Sequence, residues 1–545
     1  MPAPFRRALS LGLTLILSVI VGGRPVNAAP PLDAAVTVLA PVAVGAGPSI
    51  SRGPGSDHRG EVPREMPLLG TGGNGHGKPG GGGGGGGGGA TDGALQTSAT
   101  TALGTQPVLS FDGVGVGMGS YSPCCAPPDT NASVGTTQVV QWVNLDFAVF
   151  DKATGALLSG PTAGNSFWSG FSAGNCDRNN DGDPIIKFDA QGRRWLATQF
   201  SVTGGPPYYQ CVAISSGADF LTSTWTRYAY SFGSYFPDYP KLGVWPDAYY
   251  MTFNRFFNGA SFSGAAACAF DRAAMLAGAS ATAQCFNLST SFGGLLPSDL
   301  DGATSAVGST LAPPAGAPNV FANFGTNSLN LWKFHVDFAN SANSTFTSSA
   351  LAVPAFSAAC GGGTCVPQAG TSNQLDSLAD RLMYRLAYRN FGDHESLVVT
   401  HSVTGSGTAA PRWYELRSPG TQTFSVYQAS SYAPDATYRW MGSAAMDKLG
   451  DIAVGYSASS ASIAPGIRYT GRLATDPLNQ LRSEATILAG GGSQTGSLHR
   501  WGDYSSLSLD PTDDCTLWFT TEYLKASGSF NWSTRLASFK FPGCQ

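Results

Sequence analysis

The chain has 545 residues, of which 12% are charged, and Gly, Ser, Thr and Asn supply much of the polar surface. Its 31 Lys and Arg against 35 Asp and Glu give a formal net charge of -4. That balance excludes electrostatic attraction to nucleic acid or anionic lipid as the basis of function. After residue 65 the only glutamates are Glu395, Glu415, Glu484 and Glu522, so carboxylate chemistry falls mainly to aspartates.

Residues 1–28 have the parts of a secretory signal peptide. Arg6 and Arg7 form the charged start, Leu11–Val21 a mostly apolar core, and Val26-Asn27-Ala28 a small-residue site for cleavage before Ala29. The apolar run is too short to span a bilayer and none later is long enough, so a secreted chain without a membrane span is expected. Residues 29–104 are dominated by Pro, Ala and Gly, with Gly80–Gly89 at the centre. Such a composition buries too little apolar surface to offset chain entropy, and it predicts a disordered linker or stalk. A glycine-rich phosphate loop is excluded by the lack of a Gly-Lys-Ser/Thr continuation.

From residue 105 to 545 a degenerate unit recurs: an aspartate, a short strand, a turn, then aromatic or β-branched strands. Copies begin at Asp129 (DTNASVGTTQVVQWVN), Asp183 (DPIIKFDAQGRRWLATQF) and Asp238 (DYPKLGVWPDAYYMTFNR). A blurred fourth runs Asp301–Asn323, a fifth contains Leu382–Tyr388, a sixth is Met441–Tyr456, and the seventh is His499–Leu524. Period-two alternation, as in Ile185/Lys187/Asp189 against Ile186/Phe188, places side chains on opposite faces of a sheet. Helical periodicity is confined to Asp271–Ala277. Units of three or four strands repeating every ~45–80 residues predict an all-β fold, a seven-bladed β-propeller with six blades as the second choice.

The strand-start aspartates Asp129, Asp183, Asp238, Asp301 and Asp503 fix turns by accepting backbone N–H groups. In a propeller the same positions also converge on one mouth of the central channel. Ten cysteines in an exported chain predict disulfides, and loop lengths suggest Cys176–Cys211, Cys268–Cys285, Cys360–Cys365 and Cys515–Cys544. Cys124 and Cys125 would then pair with each other or reach elsewhere. A zinc site is the alternative, with no second Cys pair at matching spacing.

Three further sets carry chemistry. Asp177, Asn179, Asp181 and Asp183, with Gly182 between the last two, have the oxygen spacing of a Ca²⁺ loop; the alternative is a hydrogen-bonded Asx turn. Arg381, Arg439 and Arg500, with Trp440 and Trp501 beside the last two, start late repeats, where they would either grip a substrate carboxylate or pair with aspartates between blades. Asp183, Asp238 and Asp503, with Tyr504, are the candidate acid/base set.

The runs DPIIKFDAQGRRWLATQF, DYPKLGVWPDAYYMTFNR and RWGDYSSLSLDPTDDCTLWFTTEY resemble exported bacterial propellers of the sialidase-like, BNR-repeat kind, over residues 108–545. The resemblance implies the fold and, for a true sialidase, an arginine triad, a Tyr–Glu pair and an aspartate acid. The family hairpin is degenerate here, since Ser508-Leu509-Asp510 and Thr516-Leu517-Trp518 are too far apart and the glycine is missing. The expectation is a monomeric secreted propeller acting on an extracellular glycan or polysaccharide, as a glycoside hydrolase or a polysaccharide lyase. The alternative is a non-enzymatic glycan- or protein-binding propeller displayed on the stalk.

Overall fold

The computed structural model describes residues 1, 35–50, 64–65, 92–302 and 311–545. The fold is all-β. Antiparallel four-stranded meanders follow one another along the chain, their first strands being Asn131–Val134, Ile185–Asp189, Tyr235–Val244, Leu296–Leu300, Met383–Asn390, Tyr438–Met446 and Ser506–Leu509. Each first strand packs against the next, and Ser506–Leu509 returns to Asn131–Val134, so these strands run round a closed circuit. Many small sheets in this arrangement are consistent with a β-propeller.

Polar side chains couple neighbouring sheets. Ile186 N–H donates to Asn131 Oδ1 (2.9 Å), Phe188 N–H to Ser133 Oγ (3.0 Å), Leu507 N–H to Ser443 Oγ (2.9 Å) and Val244 N–H to Asp299 Oδ1 (3.2 Å). The alternate residues pack between sheets. Trp142, Phe147, Trp168, Trp195, Phe220 and Trp225 form one such layer, and burying aromatics of that size is the main force holding adjacent sheets together. At mid-height Lys187, Asp299 and Arg385, from three different first strands, close a buried ion network (Arg385 Nε to Asp299 Oδ2, 2.6 Å), so the axis is filled there.

Two features depart from the sequence reading. The segment 29–104, expected to be a linker throughout, supplies strands. Thr37–Leu39 pairs with Ala283–Cys285, Ala43–Gly47 with Trp225–Ala229, and Leu95–Gln96 with Ser431–Tyr432. Each adds to the outer edge of a sheet, where a short run such as Ala43-Val-Gly-Ala-Gly47 needs no side chain in the core, only free backbone groups to pair. The start of the propeller domain follows the same logic, because Gln106–Asp112 is the outer strand of the last sheet, beside Trp532–Lys540. The signal segment 2–28 and the run Gly80–Gly89 lie outside the described residues. In the fourth unit the first strand is Leu296–Leu300, so Asp301 ends it instead of starting it, and binds Arg385 Nη2 (2.6 Å).

The short helix is present as Arg272–Leu276, capped by Asp271, which accepts from Ala274 N–H (2.9 Å). All four expected disulfides form: Cys176–Cys211, Cys268–Cys285, Cys360–Cys365 and Cys515–Cys544. They fit an oxidising compartment. Cys124 and Cys125 are buried. Among the described residues no helix is long and apolar enough to cross a membrane.

Candidate functional site

Several strand starts carry a residue in the left-handed region: Asp129 (φ 48°), Asp183 (42°), Tyr239 (53°), Met441 (55°) and Asp503 (55°). Aspartate tolerates that region because its short side chain bonds locally, which explains its recurrence at these positions. Asp238 stands one residue before its left-handed neighbour, out of phase with Asp129, Asp183 and Asp503. Because the first strands form a closed circuit, their starts meet at one end of the axis.

There the structure gathers Asp183, Asp238, Asp503, Tyr504, Arg381 and Arg500, together with Asp129, Tyr239 and Lys241. Asp183 and Asp238 are half-buried, while Asp129, Asp503, Arg381, Arg500 and Tyr504 are buried. Asp129 and Asp183 are neighbours at this end of the axis, and each carboxyl perturbs the other. Asn144 holds the pair, its Nδ2 donating to Asp129 Oδ2 (3.1 Å) and its Oδ1 accepting from Asp183 N–H (3.2 Å). Burial, then the charges of Asp503 and Asp183, push the Asp129 carboxyl well above the usual carboxylate range. Burial also raises Asp183, against the pull of Lys241. Asp238 is pushed up to about 8, first by burial and then by Asp183.

Lys241 is fully buried on the strand below. Its Nζ donates to Pro240 O (2.9 Å) and lies 3.4 Å from the Tyr239 ring centroid and 3.9 Å from that of Tyr504. Burial brings it down to about 7, opposed by Asp183. The guanidiniums are clamped by neighbours in sequence: Arg381 Nε donates to Asp380 Oδ1 (2.7 Å) and Arg500 Nε to Asp503 Oδ1 (2.9 Å). Arg381 also lies over Tyr239, 4.4 Å from its centroid. Among the described residues the buried atoms Arg500 Nη1 and Tyr504 Oη find no hydrogen-bond partner, nor do Asp129 Oδ1 and Glu522 Oε1. Behind Asp503, Glu522 Oε2 accepts from Gly502 N–H (2.7 Å), and burial holds its carboxyl well above the usual range.

Other expected members lie elsewhere. Arg439 points outward to Glu484 (Nε to Oε2, 2.8 Å) and Asp435, because its strand presents it to the outer part of the sixth sheet. Trp440 and Trp501 are buried core, 6.0 Å apart, and Trp501 Nε1 donates to Ser457 Oγ (3.1 Å). The Ca²⁺ set does not converge. Asp181 accepts from Val202 N–H and Thr203 N–H (2.8 Å for the latter), Asn179 Nδ2 donates to Ser201 Oγ (2.9 Å), and Asp183 turns to Asp129. Among the described residues no group of three or more His, Cys, Asp or Glu is placed to hold a metal ion. Asp181 instead ties this loop to the backbone of residues 202–203. EDTA treatment is therefore expected to leave the melting temperature unchanged, and a fall of several degrees on chelation would restore the cation.

Asn144 and Lys241 were missed by sequence reasoning. The lysine had a usable signal: in DYPKLG it falls three residues after the strand-start aspartate, inside the innermost strand.

No protein-family model and no curated protein sequence matches the chain. Among solved structures it is similar to a polysaccharide lyase of a new family, an ulvan lyase, at 12% identity over 77% of this chain and 81% of that one, with a TM-score of 0.25. It is also similar to Drosophila Plexin A in complex with Semaphorin 1b, at 7% identity over 81% and 88% of the two chains, with a TM-score of 0.22. Likenesses of that size assign neither activity nor partner.

Proposed function

We propose that the chain is a secreted seven-bladed β-propeller that cleaves extracellular glycans by acid/base catalysis at the end of the axis where the strand starts meet. The observation that carries this reading is the gathering of three carboxyls raised by burial, Asp129, Asp183 and Asp238, beside Lys241, Arg381 and Arg500. A carboxyl that keeps its proton near neutral pH is what a general acid needs, and a neighbouring carboxylate supplies the base. Asp238 is the acid, the Asp183–Asp129 pair the base, and Arg500 Nη1 and Tyr504 Oη the donors left for substrate. The sialidase-like resemblance supports the same class of substrate, although the site holds two of the three expected arginines.

Lys241 favours a second reading, elimination from a uronate-containing polysaccharide. An amine brought down to about 7 can take a proton from carbon while a guanidinium neutralises the adjacent carboxylate. A screen of the purified mature protein against alginate, polygalacturonate, hyaluronan, xylan and sialylated glycans separates the readings. Hydrolysis releases saturated reducing ends, and elimination releases unsaturated, ultraviolet-absorbing ends. Tight binding with no product would favour the non-enzymatic display propeller, and neither binding nor product would refute a glycan function.

A further inference from the structure

Resting on that reading, we propose a second glycan-binding subsite: an aromatic platform formed by Tyr235 and Phe257 on the rim above the acid/base cluster, which stacks pyranose rings of an extended polysaccharide.

Strand Tyr235–Val244 does not stop at the cluster. It continues outward past Asp238 for three residues, ~10 Å at the rise of an extended chain. Its antiparallel partner rises with it, pairing Asp238 with Asn254, Pro237 with Arg255, Phe236 with Phe256 and Tyr235 with Phe257. Alternation sends Phe236 and Phe256 inward, where they join Phe200 and Tyr208 in a buried aromatic cluster flanked by Phe262. The same alternation turns Tyr235 and Phe257 outward at 36% and 44% exposure, and with Tyr427 they are the exposed large aromatics among the described residues. Their ring centroids are 5.5 Å apart with planes at 57°, so together they form a shallow V. The guanidinium of Arg255 lies 4.9 Å from the Tyr235 centroid and braces that ring from one side.

The tip is held in one shape. Asn258 (φ 51°) and Gly259 (φ 70°) make the Asn-Gly turn that suits a two-stranded hairpin, with Asn258 N–H bonded to Ser234 O (2.7 Å). A rigid aromatic surface beside a polar site is the kind of patch that marks a ligand contact. Its occupant here is a sugar. One face of a pyranose is a sheet of C–H groups that lies flat on an aromatic ring, while its hydroxyls need hydrogen-bonding neighbours. Ser234 and Asn258 adjoin the two aromatics in the chain and Ser261 pairs with Phe257, which puts such groups beside the rings. The platform is joined to Asp238 by a single strand pair, three residues along Tyr235–Val244.

The test is native gel electrophoresis with alginate, polygalacturonate or xylan cast in the gel, run on the full chain, Phe257→Ala, and Tyr235→Ala/Phe257→Ala. Both side chains are exposed, and equal melting temperatures will show that the fold is kept. The full chain is expected to be retarded by at least one polymer, and the double variant to lose about 10-fold in apparent affinity, as expected for stacking worth ~1–1.5 kcal/mol. Equal retardation of all three proteins overturns the platform. So does absence of retardation with every polymer, or a sedimentation shift showing that the two rings bind a second copy of the chain. Product release by the unmodified chain scores the catalytic reading separately, so loss of one leaves the other legible.

Discussion

Asp238→Asn is expected to lower turnover of the cleaved polymer by ~10²–10⁴-fold, the span usual for loss of a positioned general acid, with the fold intact. Near neutral pH Asp238 carries its proton, since burial and the adjacent Asp183 hold it at about 8. The amide replaces a neutral group of nearly the same shape, so no charge is left unpaired and Arg381 keeps its clamp on Asp380. Only the transferable proton is lost. Asp183→Asn should be comparably severe, because it removes one carboxylate of the pair assigned as the base. Asp503→Asn should behave differently. Asp503 neutralises the buried Arg500 through a two-point ion pair, and breaking such a pair costs ~3–5 kcal/mol. Its signature is a fall in melting temperature, which assigns Asp503 a positioning role. Turnover and thermal unfolding, measured on the three variants side by side, distinguish these outcomes. An Asp238→Asn protein with full activity would remove the acid assignment.

The contrast between Arg439 and Arg500 shows what the sequence can and cannot reveal. Both precede a tryptophan at the start of a late repeat, and locally they read alike. Arg500 is drawn to the axis because Gly502 and the left-handed Asp503 fold back over three residues to meet it. Arg439 also lies close to a left-handed residue, Met441, but its direction is set by Glu484, 45 residues away across the sheet. Local turn chemistry is legible, whereas a partner on another strand is not. The same distinction runs through the fold. Asp129, Asp183 and Asp503 were recognisable because a left-handed strand start favours aspartate wherever it occurs. Lys241 was not, since its place between two tyrosine rings depends on Tyr504, brought from the other end of the chain. Strands 37–39 and 43–47 were hidden for another reason. Three to five residues on an outer edge satisfy only backbone groups, so their side chains carry little hydrophobic pattern against the Pro, Ala and Gly around them.

Stability is expected to fall as pH rises from about 5 to 8, and Asp238→Asn should remove the share of that slope owed to Asp238. Asp238 has an ordinary value of 3.8 that folding raises to about 8. Between those values the folded chain holds a proton that the unfolded chain has released. More protons bound in the native state means that unfolding becomes easier with rising pH, by at most ~1.4 kcal/mol per unit for one group. Water reaching the half-buried carboxyl screens part of this, so the measured slope should be smaller. Lys241 acts in the opposite sense over a later window. Folding lowers it from 10.5 to about 7, so above 7 the unfolded chain binds the extra proton and stability recovers as pH rises. His401, lowered to about 3 first by burial and then by Arg412, penalises the folded state only below about 6.5. It is common to both proteins and cancels in their difference. Urea midpoints of the unmodified chain and Asp238→Asn at pH 5, 6, 7 and 8 should therefore diverge steadily in favour of the variant. Parallel curves would mean that Asp238 is ionised in the folded chain, and an ionised Asp238 has no proton to give a leaving group.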